Sequence, residues 1–304
     1  MSFTSTVKNE VSKLEIASAE SITELSAIIK NIGAISDNIK ITSENSSVAR
    51  RIFNLVRDIY HINPKITVRR GFNFNKNYIY ILEIQNKIDL IIEDLSINNN
   101  IPSNYIYDDE ELLKAYLRGL FLSVGSVNDP KKSRYHLEFL VTNLEYASFV
   151  CELLNKYNLN SKVLKRENKY MIYIKESEKI TDFLRIIKAT NALLYYENIR
   201  IYREKKNMTN RLNNCEQANV DKIIETASKQ VKEIELIEKT TGLDLLDKKT
   251  KEAAIYRLKY KEASLVELSE IISMETGNKI TKSGLHHRLK KISDLATKIQ
   301  NKEL

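Results

Sequence analysis

With 304 residues, 42% of them apolar, the chain is long enough for about two domains with sizeable cores, and it holds no charge-free apolar run of the ~18 residues that a membrane span needs. The opening MSFTSTVKNEVSKLE lacks the apolar stretch of a secretory signal, and two cysteines, Cys151 and Cys215, are too few for a disulfide framework or a structural zinc site; reduced thiols in the cytoplasm are the expectation. The net charge of +8 is uneven, with 27 basic against 24 acidic residues in 1–200 and 21 against 16 in 201–304, so the C-terminal part points to an anionic partner, most often nucleic acid.

A helix is predicted to end in Leu25–Gly33, LSAIIKNIG. Asn38–Thr42 then alternates as a strand, and Val48–Tyr60 reads as a helix with Ile52, Leu55, Val56 and Ile59 on one face. Lys65–Arg70 and Tyr78–Ile84 read as strands bent apart around Gly71, and Asn98–Asn104, with Pro102, is a link. A second helix ends in Leu117–Gly125, LRGLFLSVG. It is followed by a strand at Tyr135–Val141 and a helix at Leu144–Tyr157 that groups Phe149, Val150, Leu153 and Leu154. Strands at Lys162–Arg166 and Tyr170–Lys175 and a helix at Ile180–Ala189 complete this part.

The order helix, strand, helix, strand, strand therefore occurs twice. Leu25–Gly33 and Leu117–Gly125 are offset by 92 residues, as are Tyr78–Glu83 and Tyr170–Lys175; the extra loop Asn128–Ser133 accounts for the slip between them. Such self-similarity marks a duplicated unit with an internal pseudo-two-fold. Residues 1–100 hold the N-terminal segment and first repeat, and 101–192 the second. Ala27 and Gly119 put small side chains where the two helices could cross closely, and Gly33 and Gly125 complete this helix-crossing set.

Residues 193–217 form a charged connector, and 218–304 carry no strand pattern. Ala218–Glu238 is a helix with Gly242 as its stop, and Lys248–Lys259 is another. Ser264 and Glu267 have the spacing of a capping box, opening a helix with Leu265, Leu268, Ile271 and Ile272 on one stripe. Gly277 fits its C′ position, and Thr281 is the expected N-cap of the next helix, with Ile280 and Leu285 at staple spacing. Leu285, Leu289, Ile292 and Ala296 form the buried stripe there. Lys282, Ser283, His286, His287 and Lys290 point outward, with Arg288 at the boundary. Two short helices joined by a tight Gly turn, the second basic at its start, read as a helix-turn-helix over about 264–297. No carboxylate or Cys stands at ligand spacing from His286 and His287, so DNA or solvent is their expected contact.

The repeated pattern L-x-[G/A]-[L/I]-x-x-x-x-G resembles the LAGLIDADG helix of homing endonucleases. In that family two such helices pack at the pseudo-two-fold, and an acid before each last glycine holds the divalent metal at the scissile phosphate. Here those positions are Ile32 and Val124, and the motif's earlier acid corresponds to Lys30 and Leu122. Mg²⁺ needs oxygen ligands, so no catalytic residue, metal site or cofactor is expected. A degenerate LAGLIDADG domain followed by a helix-turn-helix is similar to the WhiA family of bacterial DNA-binding proteins. The resemblance rests on MSFTSTVKNEVSKLE, AYLRGLFLSVGSVNDPKKSRYHLEF, NRLNNCEQANVDKI and EASLVELSEIISMETGNKITKSGLHHRLKKISDLA, and spans essentially the whole chain. Departures are Lys261, where a proline often precedes EAS, and Ser269, where a glycine often follows VEL.

That resemblance implies an α+β fold: a duplicated αββαββ saddle and an all-α helix-turn-helix domain similar to sigma-factor region 4. It implies a cytoplasmic, nucleoid-associated, non-enzymatic regulator of cell division and chromosome segregation, or of sporulation in some relatives. Its partner is double-stranded DNA, with other transcription or division proteins as further partners. On the residues, Lys282, Ser283, His286, His287 and Arg288 are the expected base readers, and Lys279, Lys290 and Lys291 attract phosphates. The saddle's sheets add a second DNA contact or bind a protein. The alternatives are a nucleoid-architectural protein, an active or nicking endonuclease and an RNA maturase.

Overall fold

The chain begins with α1 (Phe3–Val11), N-capped by the Ser2 hydroxyl, and continues into α2 (Ser18–Ile32), the first repeat helix. Strands β1 (Gly33–Ile35) and β2 (Ile39–Ser43), helix α3 (Ser46–Tyr60), strands β3 (Lys65–Arg70) and β4 (Tyr78–Ile84) and helix α4 (Ile88–Asp94) follow. The second repeat has α5 (Glu110–Val124), β5 (Gly125–Val127), β6 (Leu137–Val141), α6 (Leu144–Lys156), β7 (Lys162–Arg166), β8 (Lys169–Ile174) and α7 (Ser177–Ile186). Four further helices are α8 (Thr190–Thr240), α9 (Lys248–Lys259), α10 (Leu265–Thr276) and α11 (Lys282–Gln300). This computed structural model describes residues 2–70, 78–132 and 134–301, and the chain forms two compact units, Met1–Glu204 and Lys205–Leu304.

The repeat is visible in the sheets. β1-β2-β4-β3 and β5-β6-β8-β7 are two antiparallel four-stranded sheets of identical order. In the first, Ile41 lies opposite Leu82, and in the second Phe139 lies opposite Ile172; these inward residues are fully buried. Three-residue strands start at the closing glycines, Gly33 and Gly125, and are too short for alternation to reveal them. The bend expected at Gly71 lies outside the described residues. β6 begins at Leu137, so Tyr135 and His136 only lead into it. Residues 193–217 lie inside α8, because no Gly or Pro interrupts the chain between Lys131 and Thr241. The first turn of α8 is capped from α1: Glu10 accepts from the Asn191 and Ala192 amides at 2.7 and 3.0 Å.

The α2–α5 pair forms the centre of the first unit and is its most extensive helix packing. Leu25, Ala27, Ile28, Ile29, Leu117, Leu120 and Phe121 are completely buried there. A Cβ on Gly119 would overlap the backbone carbonyl of Glu24 and stand 3.0 Å from the Ala27 Cβ. Gly33 and Gly125 have a different task from the helix-crossing role expected of them. The nearest atoms to a Cβ there belong to Ile29 and Phe121, one turn back on their own helices, so these glycines let each helix turn directly into a strand.

Beside the crossing lies a buried ionic network. The Glu24 carboxylate, with no exposure, accepts from Arg118 Nε at 2.5 Å and from Arg51 Nε at 2.7 Å. Arg118 also reaches Glu20 at 3.0 Å, and Arg51 donates to the Leu14 carbonyl at 2.5 Å. A Cβ at position 119 meets backbone, which cannot step aside as a flexible side chain does. Gly119→Ala is expected to lower stability by about 1–3 kcal/mol through overpacking, read as a lower urea midpoint with unchanged m.

Candidate nucleic-acid interface

The second unit is built on one small core, in which Ile234 and Ile237 of α8 meet Ala253, Ala254, Leu268, Ile272, Leu285, Leu289, Ile292 and Ala296. The expected α11 stripe of Leu285, Leu289, Ile292 and Ala296 is buried throughout. On α10, Leu268 and Ile272 are buried while Leu265 and Ile271 are half-buried.

Both helices of the motif have defined ends. Ser264 N donates to Glu267 Oε2 at 2.7 Å and Glu267 N donates to Ser264 Oγ at 3.2 Å, the reciprocal capping box. At the other end of α10, Gly277 has φ 71°, the left-handed cap that any Cβ disfavours. Ser273 then ties the turn: its hydroxyl accepts from Ile280 N at 3.0 Å and donates to the Ser269 carbonyl at 2.7 Å. Thr281 caps α11 by accepting from Gly284 N at 3.2 Å.

The anchored α11 presents an exposed arc. At about 100° per residue, Lys282, Ser283, His286, His287 and Lys290 fall within roughly 140° of one another, clear of the leucine stripe. All five lie outside the core, as does Lys279 in the turn. Among the described residues, Lys279, Lys282 and Lys290 have no ion-pair partner, so three positive charges stand uncompensated on this side. His286 and His287 lie 6.2 Å apart between ring centroids. Arg288 stands elsewhere. It is half-buried, pairs with Glu252 at 3.3 Å and donates to the Lys249 carbonyl, so it joins α11 to α9. Lys291 lies on the same flank, 3.7 Å from Asp247. Sequence periodicity places Arg288 at a boundary; only the acids near α9 show which way it turns.

The first unit shows what stands at the motif's acidic positions. Ile32 and Val124 are half-buried against the core, and Leu122 is buried. Lys30 donates to the Ile97 carbonyl at 3.2 Å and to the Asn99 carbonyl, holding the link between the repeats. Among the described residues no three His, Cys, Asp or Glu side chains gather as metal ligands, and no helix is long and apolar enough to cross a membrane. Periodicity missed the outward rows of the sheets. Lys65 and Arg69 on β3 and Lys162, Arg166 and Lys169 on β7 and β8 are exposed on the faces away from the core, beside Glu83 and Glu138.

Family models described as WhiA N-terminal LAGLIDADG-like domain, WhiA LAGLIDADG-like domain and WhiA C-terminal HTH domain match residues 18–98, 113–206 and 209–296. A protein named "Probable cell division protein WhiA" from Enterococcus faecalis is 41% identical over 313 residues, covering 99% of both chains. One of the same name from Bacillus cytotoxicus is 42% identical over 312 residues, covering 99% of this chain and 98% of the relative. The crystal structure of full-length DUF199/WhiA from Thermatoga maritima matches with a TM-score of 0.61 at 26% identity, over 98% of this chain and 99% of that one.

Two glycines of the motif should respond oppositely to alanine. Gly277→Ala is expected to lower thermal stability by about 1 kcal/mol, since its φ is left-handed. Gly284→Ala, with its nearest neighbour Thr281 Oγ1 at 3.4 Å, should raise stability by about 0.4–1 kcal/mol. Donation from the Ser264 backbone N–H, and then from its hydroxyl, holds the Glu267 carboxyl below its ordinary pKa. A depressed carboxyl pKa stabilises above the unfolded value and ceases to do so as pH falls through the folded one. Glu267→Gln should therefore flatten the acid limb of the unit's melting-temperature profile.

Proposed function

The chain belongs to the WhiA family, and from that premise we propose that it is a non-enzymatic regulator that binds double-stranded DNA through α11. The observation that carries this reading is the uncompensated arc of Lys279, Lys282 and Lys290 on a helix-turn-helix whose helices begin at side-chain caps. The N-terminal turns of α11 enter the major groove in this reading, with Ser283, His286 and His287 against base edges and the lysines against phosphates. Arg288 acts indirectly, by fixing α11 on α9, while the exposed Lys291 remains a phosphate contact. The name carried by the relatives supports a role in cell division. Chromosome segregation and transcription regulation at the nucleoid are the forms we assign to it.

Loss of nuclease chemistry follows from Ile32 and Val124, whose side chains offer no oxygen to a divalent cation. The duplicated domain then serves as scaffold. Its outward cations, Lys65, Arg69, Lys162, Arg166 and Lys169, favour DNA over protein as its own partner.

Fluorescence anisotropy against duplex DNA over a salt titration tests the assignment. Lys282→Ala and Lys290→Ala together should weaken binding and make the salt slope shallower by about 2, at about 0.9 for each phosphate no longer neutralised, while Arg288→Ala leaves the slope unchanged. A slope unaffected by the double variant would exclude α11 from the interface. Incubating supercoiled plasmid with the protein and Mg²⁺ or Mn²⁺ should leave it intact; protein-dependent nicking would contradict the non-enzymatic reading. Structured RNA should fail to compete with duplex DNA, as a maturase would not permit.

A further inference from the structure

The second unit contains a cavity of about 320 Å³ on the side of α10 where α8 passes, at the small end of the range for ligand pockets. Its wall is mainly apolar, with Ile223, Ala227 and Leu265 contributing. Every charged residue that lines it is a cation: Lys222, Arg257 and Lys282. Arg257 is the unusual member. It is 1% exposed, and its guanidinium donates from Nη1 to the carbonyls of Ala263 at 2.6 Å and Tyr260 at 3.3 Å. Its Nε is buried without a hydrogen-bond partner, and no acidic residue lines the cavity to compensate the charge. A buried cation with no carboxylate against it costs free energy that an anion in the cavity would recover.

We propose that this cavity is a binding site for a small amphipathic anion, a carboxylate or phosphate carried on a short apolar body. The anionic head pairs with Arg257 and Lys222, and the apolar body lies along Ile223, Ala227 and Leu265. Lys282 belongs both to this site and to the exposed arc of α11, so occupancy draws one cation away from DNA. That coupling rests on the DNA-binding reading above; the site itself does not. By linkage, a ligand that weakens DNA binding is itself weakened by DNA to the same factor.

The test uses the full chain labelled with ¹⁵N. The Arg257 Nε–H resonance, identified by its disappearance in Arg257→Lys, is followed during titration with hexanoate, 1-hexanol, inorganic phosphate and a short DNA duplex. Hexanoate should shift it saturably while 1-hexanol does not. Lys222→Glu, at an exposed position, should weaken hexanoate binding by about tenfold, as a like charge does beside an anion, with an unchanged melting temperature. Absence of a saturable shift overturns the site. An equal affinity for inorganic phosphate overturns the amphipathic ligand, and the same shift from the duplex alone makes the cavity a seat for a backbone phosphate. In a parallel arm, saturating hexanoate should lower duplex affinity several-fold. Unchanged affinity with the cavity filled removes the coupling alone, and failure to bind any duplex removes the DNA reading and leaves the site standing.

Discussion

A helix crossing with no room for a Cβ organises the first unit. Gly119 lies against the Glu24 carbonyl with Ala27 beside it, so α2 and α5 approach at backbone distance. Both sheets depend on that approach, because each begins at the glycine ending one of these helices. The buried Glu24–Arg118–Arg51 network sits next to the crossing. Buried ion pairs often contribute little net stability, since desolvation offsets their attraction, but losing one partner is costly. The costly event is therefore loss of the acids, which would leave the fully buried Arg118 without a counter-charge.

The same crossing has other side chains at the positions where the homing-endonuclease motif carries its acids. The closing positions hold Ile32 and Val124, which pack into the core, and the earlier position in one helix holds Lys30, which binds the link between the repeats. These side chains now contribute packing and connection where the homing-endonuclease motif has carboxylates. Uncompensated charge stands instead in the second unit, where the core is small and the helix ends are tightly capped.

Much of this architecture is legible in the sequence, for identifiable reasons. The α11 stripe is readable because four apolar residues recur at helical spacing, and the capping box because Ser264 and Glu267 are local partners. The duplicated helices are readable through their constant offset. Three-residue strands are not, since alternation needs more residues than β1 or β5 contain. The continuity of α8 is hidden because charge and polarity resemble a linker even where no breaker occurs. Among the residues of the candidate interface, Arg288 is the one whose direction the sequence conceals, because it is set by Glu252 on another helix, 36 positions away in the chain. The Glu24–Arg118 pair is invisible for the same reason, since only tertiary structure brings these residues together.

The two repeats are unequal at that pair. Under the 92-residue offset, Arg118 corresponds to Ser26 and Glu24 to Tyr116. Two copies of the first half, crossing in this way, would bury two carboxylates with no arginine from the opposite helix. Two copies of the second would bury two guanidiniums facing tyrosines. In the first case Arg51 of the same half would still reach each Glu24; in the second nothing acidic would stand against Arg118 at that position. The two halves are thus unlike partners: the acid on one helix answers a base that only the other helix carries.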